Sequence, residues 1–207
     1  MIENLLELHG GVGALACWQR DGTVIDLGNL GGTGQPPALG NWAITINNQG
    51  QVVGSSDRGD GHNHAFLWTN QTGMQDLGTI QGDTDSGAIG INDAGDVVGV
   101  SGSDGNMRAF FLRHGDGVPA DLNSLVVGNP SGLYLLLANF INSRGEIIGV
   151  AFDSRDNQTH GFLAIPSNGG VGDESAVATI DNLSRPENAR TPKLPFGRAG
   201  AWLSRPR

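Results

Sequence analysis

The stretch "INNQGQVVG", residues 46–54, returns as "INDAGDVVG" at 91–99 and as "INSRGEIIG" at 141–149. In each copy an apolar, β-branched segment leads into Asn, and Gly follows three residues later. Asn suits the first position of a type I turn, and Gly suits a left-handed position that closes a hairpin with a bulge. The pairs Asn47/Gly50, Asn92/Gly95 and Asn142/Gly145 are therefore structural turn residues. A side chain with a Cβ in the left-handed position costs about 1 kcal/mol or more. The nine residues thus encode a β-hairpin, written three times.

Two further units keep constant order with the hairpin. "HAFLW" at 64–68 is echoed by "RAFFL" at 108–112 and "HGFLA" at 160–164, with a worn copy, "ALACW", at 14–18. "IDLGNLGG" at 25–32 is echoed by "QDLGTIQG" at 75–82 and "ADLNSLVVG" at 120–128. The pairs Val52-Val53, Val97-Val98 and Ile147-Ile148 put adjacent apolar residues on opposite faces of a strand, so both faces need cover. "AITIN", "QVVGSS", "HAFLWT" and "GMQDLGT" make four strands in about 45 residues, the grammar of a propeller blade. The expected fold is all-β: a propeller-like array of four-stranded repeats, partial, with about three blades. A β-sandwich or β-solenoid is the alternative. The expected organisation is a leader or truncated repeat at 1–13, repeats over 14–167, and a disordered tail at 168–207 rich in Pro and Arg.

The run "NHAFLWTNQTGMQDLGTIQGD" followed by "AIGINDAGDVVGVS" resembles the HAF family of bacterial extracellular repeats, named for the His-Ala-Phe found here at 64–66. The resemblance covers about residues 14–165 and recurs in register. It implies a propeller-like repeat fold and an extracellular or cell-surface location, and it brings no catalytic residues. The chain departs from the family in having few repeats and no recognisable signal peptide, which points to an N-terminally shortened product.

The composition bounds the partners. A net charge of −9 argues against nucleic acid, whose phosphates demand a basic face. No apolar run approaches the length of a membrane span. The lone Cys17, inside "ALACW", reads as a buried, inert thiol. The start of the chain lacks a basic n-region and a small-residue cleavage site.

Candidate sites are sparse. His62 and His64 with Asp57 and Asp60 form a weak transition-metal pattern. The Gly- and Asp-rich loops "SSDRGDGHN", "SGSDGNM", "AFDSRDNQT" and "QGDTDSG" offer oxygen ligands that calcium would accept, although these residues also simply make turns. "RGD" at 58–60 is a short match of little weight. Trp42 and Trp68 are the aromatic candidates for stacking on a ligand such as a sugar; the repeated position of Trp68 also fits core packing. Asp26, Asp76 and Asp121 recur at strand ends and suit turn capping. No nucleophile elbow, phosphate loop or dinucleotide fingerprint is present. The expectation is a non-enzymatic, secreted interaction scaffold for a protein or glycan. A carbohydrate-binding module is the alternative, and a hydrolase with a site in a central channel stands behind it. About three blades fall short of the roughly 4–8 that close a propeller, so pairing with a second copy is expected.

Overall fold

The structure is a computed structural model that describes residues 15–18, 22–32, 40–127, 132–166 and 176–178. It is all-β apart from one helical turn. β1 (Leu15–Trp18) and β2 (Val24–Gly28) form a two-stranded sheet. β3 (Trp42–Ile46), β4 (Val52–Asp57), β5 (Asn63–Thr69) and β6 (Gly73–Gly78) form a four-stranded sheet in chain order. β7 (Asp85–Ile91), β8 (Val97–Ser103), β9 (Asn106–Leu112) and β10 (Ala120–Asp121) form the second, and α1 (Leu122–Leu125) follows it. β11 (Leu133–Ile141), β12 (Ile147–Asp153), β13 (Gln158–Pro166) and β14 (Ala176–Ala178) form the third. Every pairing between these strands is antiparallel, and an isolated parallel bridge joins Leu30 to Arg58. Among the described residues the sheets form no closed ring or barrel.

The core lies between sheets. Leu27 of β2 clusters with Val52, Phe66 and Trp68 of the first four-stranded sheet. Val53 and Ala65 of that sheet cluster with Ala88, Ile91, Val97 and Phe110 of the second. Val98, Ala109 and Leu122 cluster with Ala138, Ile141, Ile147 and Phe162 around the third. Val52 and Val53 thus belong to different clusters, as do Val97 and Val98. This is the two-faced burial that adjacent apolar residues on one strand require. Buried serines pin the crossovers: the Leu30 amide donates to Ser56 Oγ at 3.0 Å, and the Ile80 amide to Ser101 Oγ at 3.0 Å.

The third sheet draws its fourth strand, β14, from the stretch at 168–207 expected to be a disordered tail. β14 pairs with β13. The rest of that tail and the leader at 1–13 lie outside the described residues. A second departure is α1. In β2 and β6 the "DLG" carboxylates of Asp26 and Asp76 accept the amides of Gly28 and Gly78, both glycines at positive φ. In "DLN" the third residue is Asn123, and Asp121 instead caps a helical turn by accepting the Asn123 amide at 2.9 Å.

Candidate functional site: the rim of the repeated turns

The three "IN" turns share one construction. The amides of Asn47, Asn92 and Asn142 donate to the carbonyls of Gln51, Asp96 and Glu146. The amides of Gly50, Gly95 and Gly145 donate back to those asparagines at 3.0–3.1 Å. The glycines sit at φ 74, 87 and 76°. Each Asn Oδ1 accepts two further amides, such as those of Gln49 and Gln51 on Asn47. Each turn is therefore self-contained before it meets its neighbours.

The turns then meet. Asn47 Nδ2 donates to the Asn92 carbonyl at 2.9 Å, and Asn92 Nδ2 to the Asn142 carbonyl at 3.2 Å. Asn48 donates from its amide and its side chain to the Asp93 carboxylate, at 3.0 and 2.6 Å. Those donors hold the Asp93 carboxyl below its ordinary value. An open cleft of about 360 Å³ results, lined by Ile46, Ile91, Ile141, Asn47, Asn92, Asn48, Asp93 and Ser143. Three isoleucines and five polar residues line it. The residues that follow the constant Asn differ from turn to turn: Asn48, Asp93 and Ser143. Fixed turns carrying variable side chains suit recognition.

Several charged groups elsewhere are held in pairs. His64 Nδ1 lies 2.8 Å from Asp76, and Arg58 reaches both ring nitrogens of His64 and the Asp76 carboxylate. Burial pushes the Asp76 carboxyl up, but the bonds from His64 and the Gly78 amide, with the charge of Arg58, leave it below its ordinary value. In the second sheet Arg108 takes the place of His64 and grips Asp83 with two nitrogens and Asp121 with a third. Its guanidinium is held charged, chiefly by Asp83. A His or Arg facing the strand-end Asp thus joins neighbouring strands in the first two four-stranded sheets.

The sequence-derived metal group does not assemble. Asp60 pairs with Arg58, His62 with Asp85 at 3.2 Å, and His64 with Asp76, while Asp57 is buried beside Gly32. Asp83 and Asp85, from the calcium-compatible loop "QGDTDSG", are spent on Arg108, Ser101, His62 and the Asn63 amide. Among the described residues a different set comes within ligand reach, Asp153, Asp156 and His160. Asp153 and Asp156 belong to the oxygen-rich loop "AFDSRDNQT" at 151–159, and His160 joins them from the start of "HGFLA"; Arg155 already grips both Asp153 oxygens. Arg58 of "RGD" is turned toward His64 and Asp76.

The aromatic candidates separate. Trp68 is buried against Leu27, Val52 and Phe66, which removes it from any surface platform. Trp42 is 60% exposed at the start of β3. No helix among the described residues is long and apolar enough to cross a membrane. No protein-family model matches the chain, and no curated protein matches it.

Proposed function

We propose that this chain is a non-enzymatic binding module built as a propeller-like array, and that it recognises its partner through the rim of the repeated turns. The carrying observation is the linked series Asn47, Asn92, Asn142, which sets three differing side chains around one cleft. The three successive four-stranded sheets support the blade reading, as does the resemblance of "NHAFLW" and "INDAGDVVG" to HAF repeats. In this reading the module works outside the cell or at its surface. His64, Arg108, Asp76, Asp83 and Asp121 act as joints between strands, which supports a scaffold over a hydrolase.

The exposed indole of Trp42 favours a second reading, a carbohydrate-binding module. A glycan array decides between the two. Dose-dependent binding that is lost in Trp42→Ala and kept in Asp93→Ala places recognition at the indole. The reverse pattern places it at the rim. Turnover on a panel of glycoside and ester substrates overturns the non-enzymatic reading.

A further inference from the structure

The junctions between successive four-stranded sheets repeat one packing. Val53 of β4, with Leu67, shares a cluster with Ala88 and Ile91 of β7. Val98 of β8, with Phe111, shares a cluster with Ala138 and Ile141 of β11. In both junctions the second Val of the pair faces forward, and the Ala and Ile of the next "A-x-x-I-N" face back.

The two ends of the array hold the unmatched halves of a third such junction. Ile46 is the counterpart of Ile91 and Ile141, which are 7% and 8% exposed, yet it is 58% exposed. Ala43 is exposed where Ala88 and Ala138 are fully buried. At the other end Ile148 is the counterpart of Val53 and Val98, both fully buried, yet it is 46% exposed. Its cross-strand neighbours Phe140 and Leu163 are 61% and 37% exposed. Among the described residues, β3 has no strand behind it and the third sheet has no sheet in front of it; Ile148 and Leu163 stand where Val53 pairs with Leu67 and Val98 with Phe111 inside the chain, while Phe140 stands where Thr45 and Gly90 do.

We propose that the Phe140–Ile148–Leu163 row of one copy docks on the Ala43–Ile46 face of a second copy. The proposal rests on the propeller-like reading above. Within a copy, β1 and β2 already cover the Val52–Phe66 part of that face. The incoming row therefore meets β1 and β2 over the outer strands and bare β3 over the inner one. The two surfaces differ, so the contact is head-to-tail. It closes as a ring of two copies, or runs on as an open chain where the rotation does not close.

Because the contact is head-to-tail, complementary variants test it. Light scattering coupled to size exclusion is run over a concentration series. The wild type is expected above its monomer mass of 21.5 kDa, rising with concentration. Ile46→Asp and Ile148→Asp, each alone, are expected to stay at monomer mass. Mixed in equal amounts they regain a two-copy species, because one variant keeps a good row and the other a good face. A wild type at monomer mass throughout overturns the proposal. So does either variant associating as the wild type does, or a mixture that forms no two-copy species. Far-ultraviolet circular dichroism checks folding, and Ala43→Glu with Leu163→Asp forms a second pair should one of the first fail to fold. A monomeric wild type defeats the docking alone, whereas substrate turnover defeats the binding-module reading and leaves the docking untouched.

Discussion

Gly54, Gly99 and Gly149 close the repeated nine residues, and none of them is at positive φ. They sit opposite Ala43, Ala88 and Ala138, beside a bulge that recurs in the first strand of every four-stranded sheet. A Cβ on Gly99 would run into the Gly87 carbonyl and lie 2.7 Å from the Phe110 ring. Phe66 and Phe162 press on Gly54 and Gly149 in the same way. Gly99→Ala is therefore expected to destabilise by roughly 2–4 kcal/mol, read from chemical denaturation, because a bulged backbone and a packed ring would both have to move. The turn glycines behave differently. A Cβ at Gly50 meets only open space, so Gly50→Val carries just the left-handed penalty of about 1 kcal/mol. A Cβ at Gly95 also lies 2.8 Å from His114 Nδ1, so Gly95→Val is expected to cost more than Gly50→Val. Equal melting temperatures for the two variants would contradict that ranking.

The elements are joined by charge across long stretches of chain. Arg108 of β9 ties the segment before β7 to β10 through Asp83 and Asp121, and the Asp83 side chain is only 11% exposed. Arg108→Ala strands that carboxylate and is expected to destabilise by about 2–4 kcal/mol. Recovery of part of that loss in Asp83→Asn/Arg108→Ala would identify the stranded charge as the cause. Acid should weaken the third sheet. The Arg155 guanidinium, and after it the Arg155 amide, hold the Asp153 carboxyl at about 2 against an ordinary 3.8. A carboxyl lowered on folding stabilises above its unfolded value, and that contribution drains away as pH falls toward the folded one. The wild-type melting temperature is thus expected to fall between pH about 4 and 2, with a shallower fall in Asp153→Asn. These joints explain what the sequence concealed. Strands and turns were legible, since β-branched runs, paired valines and the Asn-first, Gly-fourth spacing are local. His62 and His64 looked like one group because they are neighbours in the chain. Yet His62 precedes β5 and turns to Asp85 of the next sheet, while His64 turns to Asp76 of its own. Partners 12–25 residues away, as in the His64–Asp76 and Arg108–Asp83 pairs, leave no local pattern to read.

At the scale of the whole molecule, stability should run along the array instead of radiating from one centre. Three apolar clusters occupy three successive junctions, and each sheet depends on its immediate neighbours. Such a chain approximates a one-dimensional stack, in which an element with two covered faces opens last. The β7–β10 sheet qualifies, because Val97 and Phe110 are buried toward β4 and β5 while Val98 and Ala109 are buried toward β11 and β12. The ends do not. β3 carries exposed Ile44 and Ile46 on one side of the array, and β12 and β13 carry exposed Ile148 and Leu163 on the other. Native-state hydrogen exchange is therefore expected to show the slowest amides in β8 and β9, faster ones in β3, and faster ones again toward β13. Val98→Ala, which opens a cavity in the junction between the second and third sheets, is expected to speed exchange in β11–β13 more than in β4 and β5. Uniform exchange across all three sheets, with Val98→Ala acting equally on both sides, would mean that the chain unfolds as a single cooperative unit and that the junctions are not separable. In that case docking a second copy at one end would stabilise every sheet to the same degree. In a stack it protects the end sheets first, and the protection gained at β12 and β13 as protein concentration rises measures how far an added junction is felt along the chain.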